Sequence, residues 1–210
     1  MENFMLGKKA GMSQLFLDDG QAIPVTVIEA GPITVVQIKT VEHDGYNAVR
    51  VGFQGVKENR INKPEKGTFT KSELEPKKYV REFRVGSSEG YTVGQVITVD
   101  ALKEGMLVDV IGTSKGKGYA GTIKRWGHKI GPISHGSKFH RSPGAMAMHT
   151  DPGRIPKGSK KMPGHMGTDR VTVQNLVVMK IFADRNAVLV KGAVPGPKGS
   201  LIMIQDARRA

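Results

Sequence analysis

The run Gly112-Thr113-Ser114-Lys115-Gly116-Lys117-Gly118-Tyr119-Ala120-Gly121 contains two spacings that elsewhere serve chemistry. Gly112, Ser114 and Gly116 make a G-x-S-x-G, the sharp turn that presents a serine nucleophile, and Asp151 and His165 follow in the order of a hydrolase triad. Gly116, Gly118 and Gly121 make a G-x-G-x-x-G, which lets backbone approach a dinucleotide pyrophosphate. Both chemistries need strands that alternate with helices, and the dinucleotide site also needs an acid about 20 residues further on. No acid lies between Asp109 and Asp151, and the segments upstream read as hairpins. Both motifs are therefore expected to be coincidental, with no catalytic residue and no cofactor.

Histidine is the other candidate. His128, His135, His140, His149 and His165 lie 7, 5, 9 and 16 residues apart, which gives neither the one-face pair of a helical zinc site nor a finger spacing. No cysteine is present, so thiolate ligands and disulfides are excluded. No metal is expected.

What these residues share is charge. Residues 112–170 hold 12 Lys or Arg, 2 acids and 5 of the 6 histidines, so 59 residues carry +10 of the chain's +13. With almost no acid nearby, this charge must be neutralised from outside, and a polyphosphate backbone does so with release of its condensed counterions. The rest of the chain, 20 basic against 17 acidic side chains, is nearly balanced. A pI near 10.0 narrows partners to nucleic acid, acidic protein or an anionic membrane. No run reaches the ~18 apolar residues of a membrane span, and residues 1–9 lack an export signal. A cytoplasmic location is expected from these absences and from the missing cysteines.

The elements that must carry this segment are strands. Residues 12–17 and 22–29 flank the turn Asp18-Asp19-Gly20 and read as a hairpin. Further β-branched or alternating runs occupy 34–39, 48–53, 79–85, 96–99 and 107–111, then 171–173, 176–182, 187–191 and 201–204. Residues 59–78 are charged and broken by Pro64, Gly67 and Pro76, so loops are expected there, with one short helix near 71–74. A weak helix or turn is expected at 101–105. Many short strands with Gly and Pro punctuation favour a closed barrel or a sandwich. Strands on both sides of the basic segment make it an insertion into one β domain.

Inside the insertion, Lys115, Lys117, Lys124 and Arg125 stand beside the only tryptophan, Trp126. Cations can follow an RNA backbone while a ring stacks on an unpaired base, worth roughly 1–3 kcal/mol per base. Residues 137–150 mix small, apolar and basic types with no period that could bury a face, and Arg154, Lys157, Lys160 and Lys161 fall within eight residues. Such a segment is expected to be disordered alone and to order on what it is inserted into. Phosphate contacts are expected from these cations and from Lys129, Lys138, Arg141 and Arg170. Trp126, His128, His140 and His149 are expected to stack on or hydrogen-bond RNA. Lys8 and Lys9 offer a second contact from the body.

Several ordered segments carry a likeness. They are Gly7-Lys8-Lys9-Ala10-Gly11-Met12, Ile23-Pro24-Val25-Thr26-Val27-Ile28, Gly112-Thr113-Ser114-Lys115-Gly116-Lys117-Gly118, Lys124-Arg125-Trp126 and Ser134-His135-Gly136-Ser137. Further on come His140-Arg141, Lys160-Lys161-Met162-Pro163-Gly164-His165-Met166-Gly167, Arg170-Val171-Thr172-Val173-Gln174 and Val190-Lys191-Gly192-Ala193-Val194-Pro195-Gly196. With these the chain resembles, from end to end, the bacterial form of ribosomal protein three of the large subunit. The resemblance implies a mainly β fold: a closed β-barrel body (1–111 and 171–210, with a loop-rich excursion at about 55–80) and a long, basic, Gly-rich irregular extension (112–170) inserted between strands. It implies a structural constituent of the large ribosomal subunit that binds rRNA near its 3′ end early in assembly and sends its loop toward the peptidyl transferase centre. Partners would be large-subunit rRNA and neighbouring ribosomal proteins, with no membrane and no small-molecule substrate. By position, Ala145-Met146-Ala147-Met148-His149-Thr150-Asp151 would form the loop tip. Many bacterial members carry a methylated glutamine there; this chain has no glutamine between Gln95 and Gln174, so that modification is not expected.

Overall fold

The computed structural model of the chain describes residues 3–144 and 161–208. In chain order its elements are β1 (Phe4–Phe16), β2 (Ala22–Ala30), β3 (Ile33–Lys39), α1 (Val41–Asp44), β4 (Ala48–Gly55), α2 (Lys63–Lys71), β5 (Lys77–Arg84), β6 (Val96–Ile97), β7 (Leu107–Thr113), β8 (Tyr119–Ala120), α3 (Thr122–Trp126), β9 (Gly164–His165), β10 (Arg170–Phe182), β11 (Ala187–Lys191) and β12 (Leu201–Asp206). They fall into two units, Met1–Thr113 with Arg170–Ala210, and Ser114–Asp169.

The first unit is built on a closed antiparallel barrel in the order β1-β12-β7-β10-β11-β2. Of the two architectures that the strand pattern allowed, the barrel is the one formed. The long strands make closure possible. β1 and β10 each run 13 residues and bend at bulges, between Lys9 and Gly11 in β1 and between Val173 and Leu176 in β10. At the β10 bulge Asn175 adopts φ 55, and its N–H donates to the buried Asp109 carboxylate at 3.1 Å. The sequence reads as two strands around residues 174–175; the bulge makes them one. So narrow a barrel is filled by side chains, here Ile28, Val110, Val178, Val190, Ile202 and Ile204, all fully buried.

A second antiparallel sheet, in the order β5-β4-β3-β6, shares this core. Phe4 of β1 stacks on Phe83 of β5 with ring centroids 4.6 Å apart. The start of β1 is therefore buried on both faces and shows no alternation, unlike an antiparallel strand with one wet face. Gly7 lies in that doubly buried stretch. A Cβ there would sit 2.7 Å from the Glu29 carbonyl oxygen and 2.8 Å from Ile28, so only glycine lets β2 approach.

The excursion holds a helix, but α2 spans Lys63–Lys71 and ends before Leu74. Pro64 suits a first helical turn, where its missing N–H leaves no bond unmade, and the chain leaves the helix at Glu73 with φ 54. The turn expected at residues 101–105 is present at Glu104-Gly105, where the Met106 N–H donates to the Lys103 carbonyl at 3.3 Å, and a short 3₁₀ turn at Val99–Ala101 precedes it.

On the second sheet the Lys39 ammonium donates to the Tyr46 hydroxyl at 2.8 Å, and that hydroxyl donates to Glu82 at 3.0 Å. Lys39 also pairs with Glu82 at 3.1 Å. Burial alone would raise the Glu82 carboxyl. The hydrogen bonds from Lys39 and Tyr46, with the charges of Lys39 and Arg50, outweigh burial and hold it below the usual carboxylate value. The hydrogen bond to Tyr46, then that to Glu82, raises Lys39. A depressed carboxyl stabilises the fold above its unfolded pKa of about 4.3, and that contribution is lost as pH falls through the lower folded value. A raised lysine stabilises below about 10.4 and loses that contribution as pH rises through its folded value. The stability gap between wild type and Glu82→Gln is thus expected to shrink as urea melts are taken from about pH 6 toward 2. A gap that stays constant over that range would refute the network's role.

Candidate nucleic-acid interface

Chemistry at the two catalytic-looking motifs lacks its scaffold. The G-x-S-x-G leaves a strand of an antiparallel barrel, and the Ser114 hydroxyl accepts a hydrogen bond from the Asp169 N–H at 3.1 Å. The G-x-G-x-x-G leads into the two-residue strand β8 and the five-residue helix α3, not a βαβ unit. Among the described residues no group of three or more His, Cys, Asp or Glu comes together to hold a metal. No described helix is long and apolar enough to cross a membrane.

The second unit opens as a two-branched ladder. The Ser114 N–H donates to the Asp169 carbonyl at 2.9 Å, the Lys117 N–H to Met166 at 2.9 Å, and the Met166 N–H to Gly118 at 3.0 Å. β8 and β9 continue it, with Tyr119 opposite His165 and therefore on the same ribbon face. α3 follows and ends at Gly127, whose φ of 69 closes the helix in the left-handed conformation. The described part of the extension is thus not wholly irregular.

The ladder explains a glycine that the sequence does not single out. Gly167 has φ +82, and a Cβ there would run into the carbonyl oxygen of Lys115 on the opposite branch. A left-handed alanine costs about 1–2 kcal/mol before any clash, on the order of ten-fold in the open population. Gly167→Ala is therefore expected to speed tryptic cleavage at Lys115 and Lys117 about ten-fold and leave the barrel's melting unchanged. Equal cleavage rates would show that the ribbon does not depend on this glycine.

Lys115, Lys117, Lys124, Lys129, Lys138, Arg141, Lys161 and Arg170 are exposed. The ion pairs among the described residues join Lys39 to Glu82, Lys66 to Glu58 and Lys77 to Glu75, so none involves the extension. Its described cations present charge that no described carboxylate offsets. Three of the expected RNA-contacting residues come together. Arg125 and Lys161 lie 4.8 and 5.0 Å from the Trp126 ring centre, and the Trp126 indole N–H and Arg125 both donate to the Met162 carbonyl, at 2.8 and 3.0 Å. Trp126 therefore clasps the two branches as well as offering an exposed ring. Tyr119, 78% exposed, is the barer aromatic side chain. His140 sets its Nδ1 3.0 Å from the Pro132 carbonyl oxygen, and His128 is half-buried just beyond α3. His149, Arg154, Lys157, Lys160 and the tip residues Ala145 to Asp151 lie outside the described residues.

In the body the two adjacent lysines part company. Lys8 is half-buried, its ammonium 5.8 Å from the Tyr79 ring centre. The expectation that Lys9 faces RNA is corrected. Its side chain is only 9% exposed, and its ammonium donates to the carbonyls of Val194 at 2.8 Å and Gly196 at 3.1 Å. Both acceptors lie some 185 residues away in sequence, so nothing local signals this. The sequence reading also missed a cluster of cations around a cavity beside α2, because Arg50, Arg60 and Arg81 come from three separate segments.

Fold and charge together define a class: antiparallel β-barrel proteins that carry a cationic insertion. The family model described as Ribosomal protein L3 matches residues 83–188. The chain is 59% identical over 211 residues to the large ribosomal subunit protein uL3 of Acetivibrio thermocellus, covering 100% of this chain and 99% of that one. It is 54% identical to the protein of the same name from Pelotomaculum thermopropionicum, with 100% and 99% covered, and 52% identical to that of Carboxydothermus hydrogenoformans, with 99% and 98% covered. The chain belongs to the ribosomal protein L3 family, a structural and non-enzymatic component of the ribosome.

Proposed function

We propose that this chain is a structural constituent of the large ribosomal subunit in the cytoplasm, where it binds large-subunit rRNA directly near the 3′ end and nucleates assembly. The barrel docks on rRNA and neighbouring ribosomal proteins, while the extension threads among rRNA helices toward the peptidyl transferase centre. Lys115, Lys117, Lys124, Arg125, Lys129, Lys138, Arg141 and Lys161, with Arg154, Lys157, Lys160 and Arg170, neutralise phosphates and set the register of the extension. Trp126, His128, His140 and the tip residue His149 meet bases or sugars. One observation carries the reading: the described cations of the extension, all exposed except half-buried Arg125, have no ion-pair partner among the described residues. Exposed Tyr119 and Ile133 within the same unit agree with it, since a partner would cover them.

The experiment is the affinity of the purified chain for the 3′ portion of large-subunit rRNA against an unrelated RNA of equal length, titrated across salt. A preference that persists as salt rises is expected. Equal binding that collapses with salt would replace this reading with that of a general RNA chaperone.

A further inference from the structure

The cavity beside α2 has no part in the extension. It encloses about 250 Å³ and is lined by residues of β3, β4 and β5, by α2 and by the 3₁₀ turn Glu58–Arg60. Buried Val36 and Phe69 form its base. Arg60, Lys78 and Arg81 are exposed around it, with half-buried Arg50, and Glu65 is the one carboxylate in its lining. Arg50 reaches Gln37 at 3.4 Å and Arg81 donates to the Val80 carbonyl at 2.7 Å. Arg60 and Arg81 form no ion pair with a described carboxylate, while the Arg50 charge acts on Glu82, its register partner on β5.

This combination restricts the occupant. The volume lies below the ~300–1,000 Å³ of pockets for drug-sized ligands. An apolar base calls for a flat or apolar group, and arginines at the mouth call for an anion joined to it, with bidentate geometry suited to phosphate. One nucleotide unit meets all three requirements. We infer that the cavity takes a single unstacked nucleotide of the bound RNA, its base against Val36 and Phe69 and its flanking phosphates on Arg60 and Arg81. The Glu65 carboxylate is a hydrogen-bond acceptor, so it favours a base with an amino group over uracil. Single-stranded RNA is commonly read in this way, by a splayed base held on its edge.

The inference rests on the rRNA-binding reading, and the test separates the two. Thr68 lines the cavity from α2, so Thr68→Trp fills it without changing charge, and Arg60→Gln removes one cation and leaves the space open. Both full-length variants are compared with wild type on the 3′ rRNA fragment, with circular dichroism melts as the control for folding. Thr68→Trp is expected to weaken binding about ten-fold at unchanged salt slope, the loss of one held base. Arg60→Gln is expected to reduce the salt slope by about one. Base-specific chemical probing is expected to show one unpaired amino-bearing base that wild type protects and Thr68→Trp leaves reactive. If both variants match wild type in affinity, slope and protection while wild type still prefers the ribosomal fragment, the cavity proposal is overturned and the rRNA reading stands. Loss of that preference in wild type itself would overturn both.

Discussion

Replacing residues 114–169 by an Asn-Gly turn is expected to leave a folded barrel that has lost most of the salt dependence of its RNA binding. Thr113 ends β7, Arg170 begins β10, and the two are register partners in the antiparallel pair. Their Cα atoms therefore stand about 4.5–5.5 Å apart, a gap that a two-residue hairpin turn closes. The deletion removes 11 Lys or Arg and 2 acids, which lowers the chain's net charge from +13 to +4. If only 6–10 of those cations contact phosphate, the intact chain loses about 10³–10⁵ in affinity between 50 and 200 mM salt. The shortened chain is expected to fall far less over that range, its slope reduced by about five or more. The measurement is the logarithm of affinity for the 3′ rRNA fragment against the logarithm of salt, with a thermal melt beside it. A shortened chain that kept the full slope would move the phosphate contacts to the body, and one that failed to fold would show that the barrel needs its insertion.

Lys9→Met is expected to lower stability by about 3 kcal/mol and the melting temperature by about 6–12 °C for a chain of this size. The Lys9 ammonium donates to two carbonyls of the segment after β11, and its backbone holds the same segment. The Gly199 N–H donates to the Lys9 carbonyl at 2.7 Å, and the Lys9 N–H donates to Ser200 at 3.1 Å. Thr26 adds a hydrogen bond to Gly192 at 2.7 Å. Methionine matches the stem of lysine as far as Cε and lacks the ammonium, which leaves two carbonyls poorly satisfied where water has little access. The salt slope of RNA binding is expected to stay as in wild type. A variant that melted within about 1 °C of wild type but lost one unit of slope would restore Lys9 to the RNA-contacting set.

The barrel was legible in outline because its strands are written in local chemistry: β-branched runs, alternation, and Gly, Asn and Asp at the turns. Ala187–Lys191 was readable to the residue, since a turn precedes it and Gly192 follows. α2 was misplaced by several residues. The sequence pattern weighed Pro64 and Gly67 as breakers, whereas Pro64 lies in the first turn of the helix and Phe69 in its last turn is buried. β10 read as two strands because a bulge leaves the same local trace as a break. The cations of the extension were legible because charge needs no tertiary partner to be counted. The clasp of Trp126 on Met162 was not, for its donor and acceptor are 36 residues apart.

The sequence by itself determined the division of charge, the β class, the absence of cysteine chemistry and the family, since each follows from residue types and their order. Only the tertiary structure decided between barrel and sandwich, because closure depends on bulges and on which strand edges meet. It alone separated Lys8 from Lys9. Neighbouring residues on a strand point to opposite faces, and which face is buried depends on Val194 and Gly196, brought there from the far end of the chain. It alone assembled Arg50, Arg60 and Arg81 around one cavity, because a pocket is a property of surfaces brought together and leaves no mark on the order of residues.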